Sequence, residues 1–323
     1  CNICIQGYYG DGSSCERCPA GKYSDVEGLS ACIDVPEGYY TVDSVGEALA
    51  PPYLGATTFR DCGTGKYSIF SVACWDCGSH ETTASSASTD SSACVCVAGY
   101  HLDDNECVQC VPGTYKSTMG DGACTPCEAG KYSTAVGATS SGTCTECGTG
   151  KYSNTTGSTA CADCDAGKYS NTTGSISCRD CVAGKYSTAV GATSSGTCTA
   201  CGTGKYSFYT GSTVCTDCGS RETTASSGST SSSACVCVAG YFLDSGGCVN
   251  CERGTYKPTI GEYDCTDCEA GKYSTAEGAT SSDTCTECDA GKYSTAGSIS
   301  CTDCVAGKYS TAVGATSSGT CTE

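Results

Sequence analysis

The stretch "CIDVPEGYY", residues 32–40, breaks a pattern that the rest of the chain keeps. Elsewhere a cysteine couplet, usually C-x-x-C, is followed by two residues, a Gly and, two places later, a Tyr. Here Cys32 is present, but Val35 stands where the second cysteine belongs. Gly38 and Tyr40 keep their places, so the register has not slipped. The following couplet reads "FRDC", and Phe59 occupies its first cysteine position. Two half-couplets are therefore lost together. A disulfide from the second cysteine of one couplet to the first of the next predicts this paired loss, and an apolar contact between Val35 and Phe59 is expected in its place.

The same rule pairs every cysteine except Cys1. It gives Cys4–Cys15, Cys18–Cys32, Cys62–Cys74, Cys77–Cys94, Cys96–Cys107, Cys110–Cys124, Cys127–Cys144, Cys147–Cys161 and Cys164–Cys178. It continues with Cys181–Cys198, Cys201–Cys215, Cys218–Cys235, Cys237–Cys248, Cys251–Cys265, Cys268–Cys285, Cys288–Cys301 and Cys304–Cys321. Cys1 is expected to close a loop upstream. Closing a loop of about 15 residues stabilises by roughly 3 kcal/mol in the chain-entropy description.

The spacing C-x₂-C-x₁₃-C-x₂-C also resembles a zinc ribbon. A zinc site uses whole couplets, however, so losing half of each of two would cripple two sites. One missing bridge explains the same loss, and no cofactor or metal is expected.

Around the couplets runs a tandem repeat. "CVAGKYSTAVGATSSGTC" (181–198) recurs at 127–144, with Glu128 for Val, and at 304–321, and "CDAGKYSNTTGSISC" (164–178) is a shorter form. Cys74–Cys147 matches Cys215–Cys288 at a constant offset of 141, after which the second copy omits one short unit. Each unit should turn at its Gly, run briefly extended through "KYS", and return through a polar loop. Strands of two to four residues are predicted, with no helix. One unit has almost no core, so units must stack on neighbours. The predicted fold is a small disulfide-rich array of short β-hairpin units stacked as an elongated rod or solenoid. Residues 1–34 are cysteine-rich repeats, 35–61 an irregular insert, 62–200 a first super-repeat and 201–323 a second, with the array expected to continue beyond both ends.

Composition fits. The 323 residues include 35 Cys and 43 Gly but only 4 Phe, 1 Trp and 1 Met, which cannot fill a large core. Such cysteine content marks an oxidising compartment reached through the secretory pathway, and an extracellular or cell-surface location. No apolar run is long enough to span a bilayer. A net charge of −18 disfavours nucleic acid and anionic lipid. Its single Asp and Glu residues suit a solvated, self-repelling surface.

The pattern "C-x-x-G-K-Y-S…C-x-x-C" resembles the ephrin-receptor-like cysteine-rich repeat of large extracellular proteins, common in protists and algae. "CVCVAGYHLDDNEC" (94–107) and "CVCVAGYFLDSGGC" (235–248) look like the last half of an epidermal-growth-factor-like module. In that family the last two cysteines pair, which agrees with Cys96–Cys107 and Cys237–Cys248. The resemblance implies a rod of disulfide-bonded hairpins and no catalytic activity.

Few residues suggest chemistry. His80 becomes Arg221 in the second copy and His101 becomes Phe242, so both histidines are read as solvent-facing. Asn154 and Asn171, each in "NTT", are N-glycosylation sequons; Asn2 and Asn105 are weaker ones. The Ser/Thr runs 82–92 and 223–233 suit O-glycans or flexible loops. Unusual apolar residues cluster between 35 and 75. Tyr53, Leu54, Phe70 and Trp75 are candidates for a contact between subunits, with Phe208 and Tyr209 as a second. The sequence thus suggests a non-enzymatic structural protein that self-associates into a filament, flagellar hair or wall layer of a protist or alga, with covalently attached glycans. The alternative is the ectodomain of a surface receptor, adhesin or antigen.

Overall fold

The computed structural model describes residues 3–323. Cys1 and the weak sequon at Asn2 lie outside them. Seventeen disulfides run from the second cysteine of one couplet to the first of the next, with Cα atoms 5.5–5.8 Å apart. Residues 35 and 59 are the unbridged pair.

A single hairpin shows how the sequence folds locally. Gly204 turns the chain at φ 79°, which glycine adopts without a Cβ penalty. Lys205–Tyr206 then pairs antiparallel with Thr216–Asp217, Lys205 opposite Asp217 and Tyr206 opposite Thr216. The second strand is therefore the pair of residues inside the next couplet. Cys218 N–H donates to the Gly204 carbonyl at 2.8 Å and closes the hairpin. Two-residue strands do not stand alone in water; the bridge Cys201–Cys215 holds the intervening loop. The epidermal-growth-factor-like segments form longer hairpins, Tyr100–Asp103 with Glu106–Gln109 and Tyr241–Asp244 with Gly247–Asn250.

Among the described residues there is no α-helix, but six three-residue 3₁₀ turns occur. They sit in the long loops, and a serine or aspartate side chain caps four of them; Ser140 Oγ accepts from Gly142 N–H at 3.1 Å.

The chain divides into two compact units. The first runs to Gly148 and adds Tyr152–Ala162 and Thr173–Ile176. The second comprises Thr149–Lys151, Asp163–Thr172 and Ser177–Glu323. The same backbone contacts recur in each. In the first, Gly113 N–H donates to Ser133 O (2.8 Å), Lys116 N–H to Ala138 O (2.9 Å) and Gly137 N–H to Cys110 O (2.8 Å). In the second, Gly184 N–H donates to Ser207 O (2.8 Å), Ser187 N–H to Ser212 O (3.1 Å) and Gly211 N–H to Cys181 O (2.8 Å).

Most loops outside the epidermal-growth-factor-like segments also reach back two loops. The Gly228 carbonyl lies against Gly184, so close that a Cβ there would stand 2.9 Å from the carbonyl carbon. Gly157 meets Gly113 in the same way. The buried core is correspondingly small-grained. It consists of second-position cysteines such as Cys110 and Cys201, the Ser of "KYS", and alanines such as Ala138 and Ala192.

The unbridged unit keeps the plan without the sulfurs. Val35 N–H donates to Gly21 O at 2.9 Å, as Cys201 N–H does to Gly184 O. Tyr39–Val42 pairs with Thr58–Asp61, and Phe59 lies opposite Thr41. Continuing the register of a regular hairpin puts Cys215 opposite Ser207, so Phe59 fills the missing cysteine's place. Its ring packs edge-on against Tyr23 at 5.0 Å and Tyr39 at 5.4 Å. A bridge across these positions would close 59 − 35 = 24 residues, a contribution of about 3.5 kcal/mol. Two edge-on ring pairs contribute about 1–3 kcal/mol together, and offset much of its absence.

Candidate functional site

Phe70 has φ 63° and stands where other loops place a glycine. Its carbonyl approaches Gly21 as Gly228 approaches Gly184: a Cβ on Gly21 would lie 3.0 Å from Phe70 O. A bulky residue in the left-handed region costs about 1–2 kcal/mol. With its backbone fixed there, the side chain is 87 % exposed. Such strain concentrates at functional positions. Trp75, in the strand opposite Tyr67, is 56 % exposed. In the second unit Phe208 and Tyr209 are 63 % and 74 % exposed and form an edge-on pair at 5.0 Å. Leu54 is exposed, while Tyr53 is half-buried with φ 57°. Phe208 and Tyr209 are thus brought together. Among the described residues no ring contact joins Tyr53, Phe70 and Trp75.

The histidines divide. His80 is exposed and stacks on Tyr100 at 4.2 Å; Arg221 lies over Tyr241 at 5.1 Å in the second copy. A flat cation or imidazole over a Tyr face serves both. His101 corrects the expectation of a solvent-facing ring. It is half-buried, with Nδ1 3.4 Å from Cys124 Sγ. Phe242 is half-buried in the corresponding place, so the position wants a ring. His101, Cys110 and Cys124 are the one grouping with metal-ligand spacing among the described residues. The two sulfurs are bonded to each other and offer no thiolate.

Two buried lysines escape a reading of the sequence. Where other units bury the Ser of "KYS", Lys116 and Lys257 take its slot, in "TYK". Ser68 Oγ donates to Tyr39 O at 3.0 Å and Ser294 Oγ to Lys272 O at 2.9 Å. Lys116 Nζ donates to Tyr100 O at 2.7 Å and Lys257 Nζ to Tyr241 O at 2.6 Å, carbonyls in the matching place. Each ammonium reaches one carbonyl further, to Gly120 and Gly261. Lys257 also lies 4.5 Å from the Tyr263 ring centre. Burial lowers both lysine pKa values, partly offset by Asp121 and Asp264 respectively. The displacement of Lys by two places within "KYS" is the sequence signal.

Couplet carboxylates are not all single. Lys292 pairs with Asp303 across its hairpin at 2.7 Å, which raises the lysine pKa through the hydrogen bond first and the charge second. Lys22 and Asp34 pair similarly. These pairs are exposed and screened, and contribute little. Asn154 and Asn171 are exposed at matching places in successive loops.

Residues 99–144, 150–198 and 240–285 match the family described as "Tyrosine-protein kinase ephrin type A/B receptor-like". These three segments are similar to ephrin-receptor-like repeats. Among curated relatives, the chain is 47 % identical over 49 residues to ephrin type-B receptor 3 of Gallus gallus, covering 15 % of this chain and 5 % of that protein. It is 43 % identical over 49 residues to ephrin type-B receptor 3 of Xenopus laevis, again 15 % and 5 %. It is 25 % identical over 182 residues to cysteine repeat modular protein A of Toxoplasma gondii, covering 41 % of this chain and 6 % of that protein. The chain thus spans about a twentieth of these relatives' length. Ephrin-receptor-like repeats and dense disulfides are extracellular in type. Among the described residues no helix is long and apolar enough to cross a membrane.

Proposed function

We propose that the chain is part of a secreted, non-enzymatic repeat protein that self-associates into a filament, flagellar hair or wall layer. The cysteine-rich repeats 1–34, the irregular insert 35–61 and the two super-repeats 62–200 and 201–323 are its building segments, and glycans sit on Asn154 and Asn171. One observation carries this reading. Four strongly exposed aromatics, Phe70, Trp75, Phe208 and Tyr209, stand where the repeat departs from itself, and Phe70 is held outward at a strained φ. Alike units offer alike surfaces, so specific contacts need such departures, and aromatic anchors dominate interface energies. Sedimentation and electron microscopy of the oxidised chain should show concentration-dependent assembly. Phe70→Ser with Trp75→Ser should abolish it, and Phe208→Ser with Tyr209→Ser should weaken it. A chain that stays monomeric at every concentration, or aromatic variants that assemble like the wild type, would overturn the proposal.

A second reading, a receptor or adhesin ectodomain, is favoured by the stretch similar to ephrin type-B receptor 3. Saturable binding of the soluble monomer to intact cells, lost in the aromatic variants, would support it.

A further inference from the structure

We infer that the unbridged unit, residues 35–59, is a reversible extension element. It is the one segment of the array that tension can unfold without breaking a covalent bond. Under a pull applied to both ends, force follows the shortest covalent path. That path crosses each disulfide and skips its loop. From Cys62 to Cys321 the backbone between successive bridges is never longer than three residues, as from Cys74 to Cys77 or Cys215 to Cys218. From Cys15 to Cys18 it is again three. Between Cys32 and Cys62 it is 62 − 32 = 30 residues. All other loops lie outside the force path.

What holds this segment is non-covalent. Its hairpin is longer than a regular one, four residue pairs from Tyr39↔Asp61 to Val42↔Thr58. The Phe59 ring lies between Tyr23 and Tyr39, and Val35 is buried in the cysteine's place. One internal polar group is left without a partner. Thr41 takes the slot where Ser68 and Ser294 donate hydrogen bonds, and its Oγ1 is the one buried side-chain oxygen or nitrogen among the described residues with no partner. The unit therefore refolds from local contacts but lacks both the covalent tie and the serine's hydrogen bond. Thirty residues reach about 100 Å when extended, so opening releases up to that length less the folded separation. This use of the element rests on the mechanical reading above; its existence does not, since it concerns one chain.

The test is single-molecule stretching of the oxidised full chain between terminal handles. One reversible step of at most about 100 Å is expected. Val35→Cys with Phe59→Cys, with the new bridge verified by mass, should remove the step. Inserting ten Gly/Ser residues beside the exposed Val45 should lengthen it by about 35 Å, and decides the matter should the new bridge not form. A wild-type chain without a step, a step that survives the verified bridge, or one that the insertion leaves unchanged would overturn the inference. A chain that shows the step but does not assemble would refute the filament reading alone.

Discussion

Removing Cys201–Cys215 tests how far one bridge supports its surroundings. The cysteines are 14 residues apart, so replacing both with Ala returns about 3 kcal/mol of chain entropy to the open loop. At about 1.4 kcal/mol per factor of ten, that is roughly a 100-fold rise in local opening. Three backbone amides report directly. Gly184 N–H donates to Ser207 O in this loop, Gly211 N–H leaves it for Cys181 O, and Gly228 N–H reaches its Cys201 O from the next loop. Native-state hydrogen exchange should show all three losing about two decades of protection. Gly278, bonded to Cys251 O, and Cys288, bonded to Gly271 O, make no contact with the loop and should change by less than about threefold. Loss of protection along the whole chain would reveal a shared core and refute nearest-unit coupling. An unchanged Gly228 would refute the backward reach of the loops.

Gly184→Ala should destabilise far more than Gly307→Ala. Both have φ above 80° or nearly so, at 80° and 89°, and share the left-handed cost of about 1–2 kcal/mol, but only at Gly184 would the new methyl meet a carbonyl; thermal or denaturant unfolding compares them. Lys257→Ala removes the donor to Tyr241 O and Gly261 O and should cost about 2 kcal/mol or more in denaturant titration. Burial holds the Lys257 pKa below its ordinary 10.5. In the window between the folded and ordinary values the unfolded chain binds more protons, so stability should rise with pH there. Lys257→Met should flatten that rise. Expression through a secretory pathway should give mass shifts that enzymatic deglycosylation removes, and Asn154→Gln with Asn171→Gln should abolish them.

The hairpin-and-bridge plan was legible because cysteines are counted easily and because positions 35 and 59 fail together. The turn glycines were legible from their fixed distance to the couplet. The backward reach was not. Gly113 and Gly157 are 44 positions apart, and nothing but two glycines marks their contact. Lys116 and Lys257 were missed because "TYK" passes for a variant of "KYS", although a lysine in a slot of buried serines is a strong signal. His101 was misread because its replacement by Phe242 looked like surface drift, whereas both rings cover the same half-buried place. The candidate contact residues stand out in the sequence as apolar where the repeat fails. The structure adds what sequence could not, the φ of 63° that turns Phe70 outward.

The carbonyl-on-glycine contact also bears on how a gene of this kind changes length. Gly130 and Gly271 hold corresponding places in the two copies. Gly130 receives Gly174, from a short loop; Gly271 receives Gly314, from a long one, because a unit has dropped out between. In both, a Cβ would lie 2.8 Å from the incoming carbonyl carbon. The seat does not distinguish its occupants. Unequal crossing-over between near-identical units can therefore delete or add one, and every later loop finds a fitting partner without further mutation. Monotony of sequence is then the condition under which recombination alters the number of units while leaving each junction intact. A Gly→Ala change, by contrast, would be carried into every copy it seeds.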